Sequence, residues 1–250
     1  MSERDATIKR AFEQPQWYLR KVAFNIRIRA ETIRAFTQEK IPASVLDIGC
    51  GDGSLSLPLL NHQNRLTLVD RSTSMLEIAR SRIPEDAVDR VSILNDDFLL
   101  AELPQREFDL VICVGVLAYV EDTRVWFRKL ASMLKPGGAL IMECTDGGHF
   151  ITHLIQAYKS MRAMAGGAKF PTIRRPSSEL LNLASEFGLR PVQSFRYSLP
   201  LPGFRRLLSQ GVSYRSIRLI FGAPPRSRAA ALGNECLYKL RSTSPEVGSK

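Results

Sequence analysis

Short apolar runs alternating with amphipathic stretches constrain the first 145 residues more than any other feature. Residues 44–48, 65–70, 91–94, 110–114 and 139–143 each read as a strand. Between them, residues 54–60, 72–82 and 124–134 read as helices, with Ser72 as a cap and Pro136-Gly137-Gly138 as a stop. The strand-like runs are apolar on both faces, which places them in a parallel sheet covered on both sides, an α/β architecture. A further amphipathic helix, residues 17–36, precedes the first strand, and Pro42 ends the approach to that strand. After Thr145 the rhythm changes. Residues 149–164 and 176–187 read as helices, the second stopped by Gly188. Residues 193–199 and 235–240 read as closing strands, and 201–233 as a polar-basic insertion between them.

A glycine-rich turn, Gly49-Cys50-Gly51-Asp52-Gly53, joins the first strand to the helical stretch at 54–60, and Asp70 ends the second strand. Such a turn lets backbone approach a ligand closely, and an acid at Asp70's position can accept hydrogen bonds from ribose hydroxyls. Those two features suit a dinucleotide as well as an adenosyl ligand. The spacing separates them: the glycines run GxGxG, not the GxGxxG that seats a pyrophosphate on a helix N-terminus. Asp47 before the turn and Asp52 within it would repel a pyrophosphate, yet suit a ligand carrying an ammonium and a sulfonium.

From Val45 through Gly53 the chain resembles the signature loop of class I S-adenosylmethionine-dependent methyltransferases. The resemblance continues through Leu68-Val69-Asp70, Asp96-Asp97-Phe98, Phe108-Asp109-Leu110-Val111 and Leu134-Lys135-Pro136-Gly137-Gly138. It covers about residues 17–145, and its style is that of the small-molecule O-methyltransferase branch, including the ubiquinone-biosynthesis type. It implies a Rossmann-like, doubly wound seven-stranded sheet, mostly parallel with an antiparallel closing strand, carrying helical cap insertions. It also implies one methyltransferase domain over residues 1–250. Residues 17–145 would bind the cofactor, 146–234 would supply the substrate cap and closing elements, and 245–250 would be a tail. The cofactor it implies is S-adenosyl-L-methionine. Gly49 and Gly51 would pass under its methionine part, with Asp47 near the amino group. Asp70 would hold the ribose hydroxyls. Asp97 or Asp96 would accept from the adenine amino group, with Phe98 beside the ring, and Val114 would make a backbone contact. By its spacing from the loop, Arg29 would meet the cofactor's carboxylate, with Arg20 and Arg27 as rivals.

Catalysis is less legible. Related enzymes often carry a histidine after the fourth strand, where this chain has Leu117-Ala118-Tyr119-Val120. The candidate base is therefore His149, with His153 as the alternative, since both fall just beyond the fifth strand. Glu143 at the end of that strand faces either solvent or the ligand crevice. Trp17 and Tyr18 either close over the cofactor or anchor the first helix. The four cysteines are scattered without a CxxC pair, so no metal is expected and the thiols read as reduced and buried in a cytoplasmic protein. The longest apolar run, residues 110–120, is far below the ~18–20 residues that span a bilayer, and the N-terminus has no signal-peptide core.

Charge is the one unusual bulk property. The net charge is +10, and residues 147–234 hold thirteen Lys or Arg against only Glu179 and Glu186, a local +11. Arg205, Arg206, Arg215, Arg218, Arg226 and Arg228 all fall in the insertion. The expected partner is a small-molecule acceptor, most consistent with methylation on oxygen. Two alternatives use the charge: an RNA methyltransferase, and an enzyme peripheral at an anionic membrane with an acidic or lipid-linked acceptor. No RNA-binding module is recognisable, which weighs against nucleic acid. A silent binding protein on the same fold is disfavoured by the intact loop and Asp70.

Overall fold

The computed structural model describes residues 15–164, 172–198 and 208–243. Helix α1 (Pro15–Thr37) leads into β1 (Ser44–Ile48), followed by β2 (Arg65–Asp70), α2 (Thr73–Ser81), β3 (Val91–Asn95) and β4 (Phe108–Cys113). Next come α3 (Thr123–Met133), β5 (Leu134–Thr145), α4 (Phe150–Met164) and α5 (Ser177–Glu186). The chain closes with β6 (Leu189–Tyr197), α6 (Gln210–Phe221) and β7 (Glu235–Ser242). All seven strands join one sheet in the order β3-β2-β1-β4-β5-β7-β6. β1 pairs in parallel with both β2 and β4, and β7 runs antiparallel between β5 and β6. The winding direction reverses between β1 and β4, which opens a crevice at the carboxyl ends of those strands.

Alternation along each strand divides the core in two. Leu46, Ile48, Val111, Cys113, Leu140 and Met142 pack toward α3 and α5. Val45, Leu66, Leu68, Leu110, Ile112 and Ile141 pack toward α1, α2 and α6. Helix α1 contributes Phe24, Ile28, Ile33 and Phe36 to that second layer, all buried. Each such side chain contributes on the order of 1.5–3 kcal/mol when fully buried, enough for four of them to hold α1 on the sheet.

Three elements depart from the sequence expectation. Where a helix over 54–60 is expected, the chain makes turns and a single 3-10 turn, Leu57–Leu59. Pro58 falls in that turn and has no N–H to carry an α-helical ladder. Strand β5 begins at Leu134, not 139, with a register shift against β4 between Phe108 and Leu110. Strand β6 begins at Leu189, because Gly188 adopts a left-handed φ of 73° and turns the chain straight from α5 into extended backbone. Arg205, Arg206 and the tail lie outside the described residues, as do the side chains of Trp17, Tyr18 and Arg20.

Candidate functional site

The glycine turn follows β1 directly into the crevice. Gly49, Gly51 and Gly53 all have φ between 54° and 73°. At Gly49 even a Cβ would collide with the Val116 side chain, so glycine is required there on two counts. The Gly49 and Cys50 N–H groups donate to the Val69 carbonyl, which ties the turn to the end of β2. Asp70 completes the tie. One carboxylate oxygen accepts from the Gly51 N–H and the other from the Ser72 N–H, both at 2.8 Å. Burial raises the Asp70 pKa, and the N–H groups of Ser72, Gly51 and Arg71 act against that rise. A carboxylate has about four acceptor positions, so Asp70 keeps capacity for a ligand.

One cavity of about 460 Å³ brings most of the expected residues together. Gly49, Gly51 and Asp70 form one stretch of its wall, Asp96, Asp97 and Phe98 the next, Val114 its floor beside β4, and Arg29 reaches it from α1. Asp97 also starts a turn, its Oδ1 accepting from the Leu99 N–H at 2.9 Å, and it pairs with Arg71 at 3.4 Å. Trp126 and Tyr119 line the same cavity, and the sequence pattern singles out neither as a ligand contact. Trp126 sets its ring edge-on to Phe98 with centroids 4.9 Å apart. The signal that could have found it is its place in the first turn of α3, just past the Asp122 cap.

Arg29 and Arg27 part company in space. Arg27 is exposed, pairs with Glu31 at 3.1 Å and lies over the Tyr214 ring. Arg29 points inward, its Nε donating to Glu143 Oε1 at 2.7 Å. Glu143 therefore neither ends its strand in solvent nor lines the cavity; it is buried behind Arg29.

Asp47 sits beneath the glycine turn, not on the cavity wall. It is buried and its Oδ2 has no hydrogen-bond partner. Burial pushes its carboxyl up to about 7, Asp70 and Asp52 add to the rise, and the Ser56 hydroxyl works against it. Asp52 corrects one step of the sequence argument. Its carboxylate takes both the N–H and the hydroxyl of Ser54 and pairs with Arg82, so its charge is largely met within the protein. The negative field under the turn therefore comes chiefly from Asp47 and Asp70, with a smaller share from Asp52.

His149 is also corrected. It is not on the cavity wall. Its Nδ1 accepts the Ile151 N–H at 3.2 Å, which leaves Nε2 protonated and donating to the Ala231 carbonyl at 2.9 Å. With both ring nitrogens engaged, the side chain caps the start of α4 and anchors the segment before β7. His153 is exposed on α4, and His62 lies across the molecule near Asp86. None of the three histidines lines the cavity.

Residues 45–138 match the family model described as a methyltransferase domain, the stretch that builds the turn, Asp70 and the Asp96–Phe98 corner. Over this stretch the chain is similar to methyltransferase domains. An uncharacterized methyltransferase of Mycobacterium tuberculosis is 38% identical over 96 residues, covering 38% of this chain and 47% of that protein. A ubiquinone biosynthesis O-methyltransferase of Coxiella burnetii is 30% identical over 149 residues, covering 58% of this chain and 63% of its own length. The matched stretches thus span about half to three fifths of those relatives. Among solved structures, a SAM-dependent methyltransferase of Thermotoga maritima superposes with a TM-score of 0.67 at 18% identity, covering 95% of this chain and 98% of that one. Magnesium protoporphyrin IX methyltransferase of Synechocystis, with bound SAH, gives 0.66 at 14% identity, over 96% and 100%. These two likenesses concern the fold alone. The residues present in this stretch fit S-adenosylmethionine on the structure's own terms. An unpartnered, buried carboxylate oxygen on Asp47 beneath the turn and Asp70 beside it provide a negative field for a cationic ligand.

Proposed function

We propose that this protein transfers a methyl group from S-adenosylmethionine to the oxygen of a small-molecule acceptor. The observation that carries the reading is the single cavity joining the glycine turn, Asp70 and the Asp96–Phe98 corner. The bound cofactor supplies an electrophilic methyl on a sulfonium. The chain's own residues do the rest. Asp70 holds the ribose hydroxyls, Asp96 or Asp97 accepts from the adenine amino group beside Phe98, Arg29 meets the cofactor's carboxylate, and Asp47 balances the positive charge from beneath.

Methyl transfer from a sulfonium is an in-line displacement, so positioning and exclusion of water supply much of the acceleration. No histidine lines the cavity. That favours an acceptor whose oxygen ionises readily and needs little help from a base. The similarity to a ubiquinone biosynthesis O-methyltransferase supports oxygen over nitrogen. The test is transfer of labelled methyl from the cofactor into an organic extract of cells, set against transfer into RNA from the same cells. Label in the organic phase supports the reading, and label confined to RNA overturns it.

A second reading places the reaction at an anionic membrane surface, and one feature favours it. Along α4, Phe150, Leu154, Ala157, Met161 and Met164 recur at helical spacing and are all exposed. No acid lies on α4, and the segment around it carries the +11. A like-charged second copy would be repelled, whereas an anionic bilayer matches both the apolar stripe and the charge. Helix α6 does not serve this role as a whole, since Ile217 and Phe221 are buried in the layer with α1. Among the described residues, no helix is long and apolar enough to cross a membrane. Sedimentation with phosphatidylglycerol vesicles at low salt should pull the protein down. Leu154→Ser with Met161→Ser should release it, and binding unchanged by those substitutions excludes α4 as the contact.

A further inference from the structure

The α1 side of the sheet carries a buried polar cluster at its carboxyl end. Glu143 and Thr145 project into it from β5, Glu235 from β7, Tyr197 from β6, and Asn25 and Arg29 from α1. Glu143 is its centre. It grips Arg29 as a fork, with Nε on Oε1 at 2.7 Å and Nη2 on Oε2 at 2.5 Å. The Tyr197 hydroxyl donates to Asn25 Oδ1 and lies 3.3 Å from Oε1, packed against the other side of the carboxylate. Burying an ion pair of this kind contributes little net stability compared with an apolar pair of the same shape. Its retention at this place therefore calls for a reason other than stability.

Geometry supplies one. A fork on the Nε–Nη2 edge fixes the plane of the guanidinium and therefore where Nη1 must lie. Nη1 sits 3.5 Å from the position that a Cβ on Gly115 would take, and Gly115 is on the cavity wall next to Val114. Gly115 itself has a left-handed φ of 79° and leaves room for the guanidinium. We infer that Glu143 is a positioning residue: it sets Arg29 at the distance from the cavity at which Nη1 meets the cofactor's carboxylate. Glu143 does not line the cavity and acts only through Arg29. The inference rests on the role proposed above for Arg29.

A competing carboxylate makes the assignment sharper. Glu235 is buried in the same cluster, with Thr145 donating to it at 3.0 Å, and its carboxyl is pushed up to about 7 by burial and by the charge of Glu143, against the pull of Arg29. Were Glu143 shortened, Arg29 would follow it toward the sheet or turn to Glu235, and in either case would leave the cavity wall.

The test measures two ligands on several variants. S-adenosylhomocysteine carries the amino-acid carboxylate, and 5′-methylthioadenosine has the same nucleoside without it. Glu143→Asp keeps the charge but withdraws it by one carbon–carbon bond, about 1.5 Å. A displacement of that size should weaken S-adenosylhomocysteine on the order of 10-fold and leave methylthioadenosine unchanged. In an Arg29→Gln background the same substitution should add nothing. Glu143→Gln, which keeps length and shape, serves if the Asp variant does not fold. Its amide presents N–H to Nη2 and breaks one arm of the fork, so positioning predicts weaker S-adenosylhomocysteine binding, whereas simple charge compensation predicts tighter binding. Equal losses for both ligands, or no loss for S-adenosylhomocysteine, overturn the inference. If Arg29→Gln leaves the ratio of the two affinities unchanged, the role of Arg29 has failed and the inference falls with it. If the wild type binds neither ligand, the functional reading has failed, a separate and recognisable result.

Discussion

Replacing Asp70 by Ala should damage the site in two ways that can be measured apart. In the structure its carboxylate accepts from the Gly51 and Ser72 N–H groups at 2.8 Å each, so it both shapes the glycine turn and faces the cavity. Removal leaves two half-buried donors without their charged acceptor. Each such loss is worth about 1–3 kcal/mol, and water reaching the cavity recovers part of it, so the variant should lose roughly 1–3 kcal/mol of stability. Binding suffers separately. Two charge-assisted hydrogen bonds to ribose hydroxyls at about 1.5 kcal/mol each sum to about 3 kcal/mol, on the order of a 100-fold weaker Kd. Calorimetric titration with S-adenosylhomocysteine reads the second effect, and urea unfolding without ligand reads the first. An affinity within threefold of wild type would refute the placement of Asp70 on the ribose. A full loss of affinity accompanied by a collapsed unfolding transition would mean that only its structural role is real.

Asp47 is raised to about 7 by burial, so the folded protein binds more protons than the unfolded chain between about pH 4 and 7. Its contribution to stability therefore falls as pH rises through that window, and Asp47→Asn should raise the melting temperature of the ligand-free protein at pH 8 but not at pH 4, while weakening S-adenosylmethionine binding. Melting curves at the two pH values check it, and equal shifts at both would count against a buried, ionising Asp47. His149→Ala should cost about 1 kcal/mol of stability through the lost cap on α4 and should change turnover by less than several-fold. A loss of 100-fold or more with unchanged stability would restore it as a base. Breaking the Asp52–Arg82 pair with Arg82→Ala should loosen the glycine turn and weaken S-adenosylhomocysteine, and a calorimetric titration against wild type checks it.

Much of the sheet was readable because strand runs at 44–48, 65–70 and 110–113 are apolar on both faces, a pattern only a doubly covered parallel sheet requires. The turn and Asp70 were readable because glycine and an acid in those places answer local needs of backbone and ligand. What was not readable depended on partners distant in sequence. Nothing near Asp52 announces that Arg82, thirty residues on, will take its charge. His149 and His153 look alike in sequence, and only the approach of the Ala231 carbonyl to the first of them shows that its ring is already occupied. Glu143 is ambiguous for the same reason, because its partner Arg29 lies 114 residues earlier on a different element. The helix expected over 54–60 failed locally, since the propensity of its leucines was outweighed by Pro58.

The most direct measurement is a titration of the purified wild-type protein with S-adenosylhomocysteine and, in parallel, with NAD. A cavity walled by Asp70 and the GxGxG turn, with Asp47 beneath it, should take up S-adenosylhomocysteine at one site per chain and show no heat with NAD. Saturable NAD binding, or no binding of S-adenosylhomocysteine at any accessible concentration, would contradict that assignment.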